Sequence, residues 1–118
     1  MKPSTKLSSA ELQDRLQTLP GWRFENGAIV RDFKTDGWPT TLMLVNAIGF
    51  FAEAADHHPD LVVSWGTVQV KLSTHSAGGI TQSDIELARL IEQTALWRPR
   101  TGASALRGTS KKFVTGPS

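Results

Sequence analysis

The 118-residue chain is 39% hydrophobic and carries a net charge of +2, the balance of one soluble domain around one core. It has no cysteine, so disulfides, thiolate metal sites and cysteine nucleophiles are excluded. Arg98, Arg100, Arg107, Lys111 and Lys112 put +5 on an acid-free C-terminal segment, which against +2 overall leaves −3 on the rest.

Ser8-x-x-Glu11 has the pattern of a capping box and opens a short helix with Leu12, Leu16 and Leu19 on one stripe, ended by Pro20-Gly21. Trp22–Glu25 and Ala28–Lys34 flank Asn26-Gly27, a strong two-residue hairpin signal, and read as paired antiparallel strands. After the turn at Asp36-Gly37, Pro39 suits the first turn of a helix that runs to about Ala55. Leu42, Val45, Ile48, Phe51 and Ala52 are its expected apolar stripe. His57-His58-Pro59 stops that helix, because proline disfavours helical geometry in the residue before it. Leu61–Trp65 and Thr67–Ser73 read as a second strand pair about Gly66. Thr81-x-x-Asp84 opens a last helix to about Leu96, and Pro99 bars its continuation.

The order αββαββα contains no βαβ unit and predicts an α+β fold, an antiparallel sheet covered by helices. The two halves each read helix then hairpin. The expected organisation is one domain over residues 1–97 and a basic C-terminal tail over 98–118. That tail is rich in Gly, Ser, Thr and Pro and reads as a solvated or loosely attached extension. The competing reading is a contact with nucleic acid or another acidic partner. The longest apolar stretch, Leu42–Ala55, is interrupted by Asn46 and Glu53 and is too short to span a bilayer. The N-terminal stretch has no apolar core of a secretory signal, so a cytoplasmic location is expected, with no membrane partner.

All three histidines fall in one window, at His57, His58 and His75, among Glu53, Asp56, Trp65, Ser73, Thr74, Ser76 and Asp84. Imidazole is the side chain that titrates near neutrality, so the clustering points to an acid–base or a metal site. Residues equally distant from Gly66 pair across a regular hairpin. His57 is nine before it and His75 nine after, so the two are expected to face each other. Three readings stand at this point: structural histidines, a three-histidine zinc site, and metal-free acid–base catalysis. Strain in turning adjacent His57 and His58 to one ion, and the lack of His-x-x-x-His spacing, weigh against zinc. There is no P-loop, no Gly-x-Gly-x-x-Gly and no Gly-x-Ser-x-Gly elbow. Of the four tryptophans, Trp65 is the candidate for stacking on a flat heterocycle.

Glu53-x-x-x-His57-His58-Pro59, the aromatic Trp65, Ser73-Thr74-His75 and Asp84 together resemble the pterin-4a-carbinolamine dehydratases. Gly21-Trp22, Ala77-Gly78-Gly79 and Asp84-Ile85-Glu86-Leu87-Ala88 extend the resemblance over about Leu7 to Leu96. Leu61-Val62-Val63-Ser64, the tryptophan at 65 and Trp38-Pro39 depart from the family's usual wording. The resemblance implies a four-stranded antiparallel sheet with helices on one face. It implies a hydro-lyase, 4a-hydroxytetrahydrobiopterin dehydratase, which takes 4a-hydroxytetrahydropterin to quinonoid dihydropterin without metal or cofactor. It implies His57 and His75 as the acid–base pair, with His58 holding the hydroxyl. Glu53 and Asp56 would orient imidazoles or bind the pterin's donor-rich edge. Ser73, Thr74, Ser76, Trp65 and Asp84 would complete the substrate pocket. A homodimer or homotetramer and an aromatic amino-acid hydroxylase in the same pathway are the implied partners, and no nucleic acid. The alternative on the same fold is a non-catalytic protein, a transcription-factor dimerisation cofactor or a RuBisCO assembly factor.

Overall fold

Asn26 and Gly27 both take positive φ (50° and 81°), the mirror-image turn whose twist matches that of flanking strands. They join β1 (Trp22–Glu25) to β2 (Ala28–Lys34), over the bounds that the turn signal predicts. The structure, a computed structural model, describes residues 5–115. The first four residues, part of the stretch read for a secretory signal, and the last three of the basic tail lie outside it.

Among the described residues the chain forms α1 (Ser9–Leu16), β1, β2, α2 (Trp38–Ala55), β3 (Asp60–Ser64), β4 (Thr67–Leu72) and α3 (Gln82–Ala95). A single 3-10 turn spans His75–Ala77. All strands are antiparallel in the order β1-β2-β4-β3, so the expected α+β fold and its αββαββα order stand. Ile29, Phe33, Val68, Val70 and Leu72 project from one sheet face into a core closed by Leu12, Leu44, Ile48, Ile85 and Ile91 of the helices. The alternate positions Asp32 and Gln69 stay on the helix-free face, where Gln69 and Arg23 donate to the Asp32 carboxylate (2.9 and 3.0 Å).

Buried in the core side is an ion pair that no periodicity announces. Arg31 of β2, 1% exposed, donates through Nε and Nη2 to both carboxylate oxygens of Glu92 on α3 (3.0 and 3.1 Å). Its remaining nitrogen donates to the Asp32 carbonyl, and Trp22 Nε1 donates to Glu92 at 2.8 Å. Gly21 makes room for it: a Cβ there would sit 2.8 Å from Arg31 Nε, and its φ of 93° is one that side chains rarely adopt.

Four expectations need correcting. Helix α1 stops at Leu16 with its cap at Gln17, before Pro20-Gly21, and Thr18 and Leu19 follow as turns. Helix α2 buries Thr40, Thr41, Leu44, Ile48 and Ala52, and leaves Leu42 exposed with Val45 and Phe51 at the margin. Most of α2 is apolar, so the pattern could not say which face would be covered. The second hairpin turns on two residues, Trp65-Gly66, so Ser64 pairs with Thr67 and Asp60 with Lys71. That centre lies half a residue before Gly66. The ladder extended past its end brings Thr74 opposite His57, and the expected His57–His75 pairing slips by one. A slip of one residue reverses the face a side chain takes.

The tail is not wholly loose. Val114 bridges to Thr35, Asp36 N–H donates to the Phe113 carbonyl (2.9 Å), and Thr115 N–H donates to that of Lys34 (3.0 Å). Arg98 stacks over the Phe113 ring at 4.9 Å and bonds the Lys111 carbonyl, while every residue from 100 to 112 is exposed.

Candidate active site

Helix α2 ends on Asp56 in the left-handed conformation (φ 52°, ψ 45°), which aspartate tolerates better than most residues. That residue turns the chain so that the His57 N–H returns to the Ala52 carbonyl (3.0 Å). The His57 ring is thereby carried toward the start of α3, and its Nε2 lies 2.6 Å from Asp84 Oδ1.

Asp84 is fully buried. As the third residue of α3 it reaches back through Oδ2 to the N–H of Thr81, the N-cap, at 2.9 Å. The same oxygen accepts from the Thr74 hydroxyl at 2.8 Å. A hydroxyl has one proton, and Thr74 gives its own to Asp84. The 2.8 Å contact between Thr74 and Thr81 hydroxyls is therefore donated by Thr81, itself fully buried. One carboxylate thus caps a helix, gathers two threonines and holds an imidazole.

His57 lines a cleft of about 960 Å³ with Ala55, Asp56, Thr74, Ser76, Ser83, Glu86, Leu87 and Leu90. This is ample room for a small bicyclic heterocycle. Its α3 wall is the stripe 83, 86, 87 and 90, the spacing of one helix face. Glu86, Leu87 and Leu90 are absent from the sequence reading of the site. The i, i+3, i+4, i+7 spacing beside the core stripe is the signal that places them on this wall.

The other candidates disperse. Ser73 and His75 line a separate cleft of about 250 Å³ on the helix-free face, with Asp60, Gln69 and Lys71 among its walls. Residues 73–76 thus form a ridge, odd positions to one side and even positions to the other. The His75 side chain is exposed and makes no hydrogen bond among the described residues. His58 Nε2 pairs with Glu53 Oε1 at 2.9 Å, both side chains more than half exposed and outside the cleft. Trp65 is 67% exposed in the β3–β4 turn, beside Gly37. The five-residue strand β3, about 17 Å long, lies between it and His57, so it stacks on nothing that the same chain's His57 holds. The hairpin sends its turn to the far end of the sheet, which proximity in sequence does not reveal. Among the described residues no three His, Cys, Asp or Glu side chains converge as metal ligands.

An antiparallel sheet layered with helices, with an imidazole held by a buried carboxylate on the wall of a roomy cleft, defines a small α+β protein. Residues 5–94 match the model of the pterin 4 alpha carbinolamine dehydratases, and the chain belongs to that family. A protein of Aquifex aeolicus, provisionally named a pterin-4-alpha-carbinolamine dehydratase, is 51% identical over 88 residues, 75% of this chain and 89% of its own. One of Roseiflexus, named in the same way, is 41% identical over 90 residues, 76% and 97% of the two chains. The crystal structure of a transcriptional coactivator/pterin dehydratase from Brucella melitensis superposes with a TM-score of 0.75 at 33% identity, over 77% of this chain and 99% of that one.

Proposed function

We propose that this chain dehydrates 4a-hydroxytetrahydropterin to quinonoid dihydropterin by metal-free histidine chemistry, regenerating a tetrahydrobiopterin-type cofactor for an aromatic amino-acid hydroxylase. The observation that carries the reading is the His57–Asp84 contact at 2.6 Å on the wall of the large cleft. With Nε2 committed to a buried carboxylate, the ring is held in one orientation and Nδ1 is the nitrogen left for substrate. Loss of the 4a-hydroxyl needs a proton given to the leaving oxygen and one taken from a ring nitrogen, and imidazole serves either step near neutral pH.

His57 is assigned the first of these roles. His75, exposed on its 3-10 turn one residue from the cleft-lining Thr74 and Ser76, is assigned the second. His58, whose solvated pair with Glu53 lies outside the cleft, is assigned the holding of the hydroxyl. Asp84 is fully buried and acts through His57 and Thr74, not on the substrate. The exposed Val62 and Val63 on the open edge strand β3 favour a homo-oligomer, which would cover them.

Stopped-flow dehydration of 4a-hydroxytetrahydropterin by the purified chain is the test. Acceleration that survives EDTA is expected. No acceleration overturns the reading, and loss on chelation restored by zinc overturns its metal-free form. The coactivator half of the Brucella protein's designation supports a second reading, a binding protein on the same fold. A chain of that kind would turn over nothing in the same assay.

A further inference from the structure

We infer that Glu86 selects the substrate by its 2-amino edge. The inference rests on the dehydratase reading and adds a residue that reading does not contain. Glu86 lines the same cleft as His57, two positions beyond the carboxylate that holds that imidazole. Its own carboxylate is exposed and takes part in no hydrogen bond or ion pair among the described residues. Leu87 and Leu90, beside it on the α3 stripe, are the apolar part of that wall. A flat bicyclic ring laid on these leucines presents its edge to the neighbouring positions of the stripe.

The edge of a pterin that is rich in donors carries the 2-amino group and N3–H side by side, both pointing outward. A carboxylate has two oxygens and only accepts, so it matches that pair in a fork. A 2-oxo ring presents a carbonyl in place of the amino group and would meet Glu86 acceptor to acceptor. Asp56, the other carboxylate on the cleft, stands at the α2 cap beside His57, on a different element from the leucines of α3. Glu86 is therefore the group placed to read the pyrimidine edge while His57 works at the ring junction.

The test compares binding of pterin and lumazine, which differ in amino against oxo at position 2, to the full chain by quenching of tryptophan fluorescence. The wild type is expected to prefer pterin. Glu86→Gln keeps size and removes the charge, and its amide can donate to the 2-oxo group. Its pterin-to-lumazine ratio should fall about tenfold or more. Thermal melting checks that the variant is folded. His57→Ala serves as the counter-variant, with low turnover and the preference retained. An unchanged ratio in Glu86→Gln, or a collapse in Asp56→Asn alone, overturns the role of Glu86 while dehydration by the wild type stands. A wild-type chain that neither prefers pterin nor accelerates dehydration overturns both readings.

Discussion

Helix α3 holds two carboxylates that each grip a nitrogen base from the rest of the chain, and the two contacts differ in what they leave open. Near its C-terminal end, Glu92 takes Arg31 through both oxygens, with Trp22 as a further donor. Near its N-terminal end, Asp84 takes His57. At the first contact the Arg31 guanidinium is 1% exposed and its nitrogens are engaged within the core. Arginine does not lose its proton in proteins, so this contact ties β2 to α3 and transfers nothing. At the second, the His57 side chain is 17% exposed and borders a cleft. One pair is closed within the core, and the other stands at the edge of a cleft.

The largest effect should come from breaking the closed contact. Arg31→Met leaves Glu92 with an uncompensated charge and should cost about 3–5 kcal/mol, read as a lower urea midpoint, with turnover of the folded protein kept. His57→Ala should invert that pattern, lowering kcat about 10²-fold while the urea midpoint moves little. His58→Ala, at the solvated pair, should act more on KM. If Arg31→Met also abolishes turnover in folded protein, the division between the two ends of α3 fails.

A smaller effect is expected behind the open contact. Thr81→Val removes the donor to the Thr74 hydroxyl and should cost about 1 kcal/mol, with a fall in kcat well short of that for His57→Ala. Loss equal to His57→Ala would mean that Thr81 orders the whole carboxylate. Deleting residues 98–118 removes the strand-like contacts of Phe113–Thr115 and should lower the melting temperature by a few degrees at unchanged kcat, since none of the tail's described residues lines the large cleft. Aggregation of the truncated chain would show that the tail is part of the folded body.

The smallest effect lies on the open sheet face. Burial pushes the Asp32 carboxyl up, but Gln69 and Arg23 donating to it outweigh that and hold it below the usual 3.8. A lowered folded value means stability present above 3.8 and lost as pH falls through the folded value. Asp32→Asn should therefore flatten the acid limb of the stability curve slightly, in keeping with a partly exposed pair.

Local chemistry was enough for the order of elements. The Ser8–Glu11 box, the Asn26-Gly27 turn and the Thr81–Asp84 start each act within four residues, and each stands where the sequence places it. The family motif likewise named His57, Thr74 and Asp84, which the structure joins through hydrogen bonds. Tertiary structure alone decided the rest. The face of α2 that is covered depended on the sheet, because the helix is apolar nearly all round. The divide between His57 and His75 depended on whether the second hairpin turns on one residue or two. The Arg31–Glu92 pair joins residues 61 apart, a distance over which no periodicity carries information. Caps and turns are short-range hydrogen bonds that a few side chains specify. Register, helix facing and buried pairing are settled only when distant elements compete for the same core.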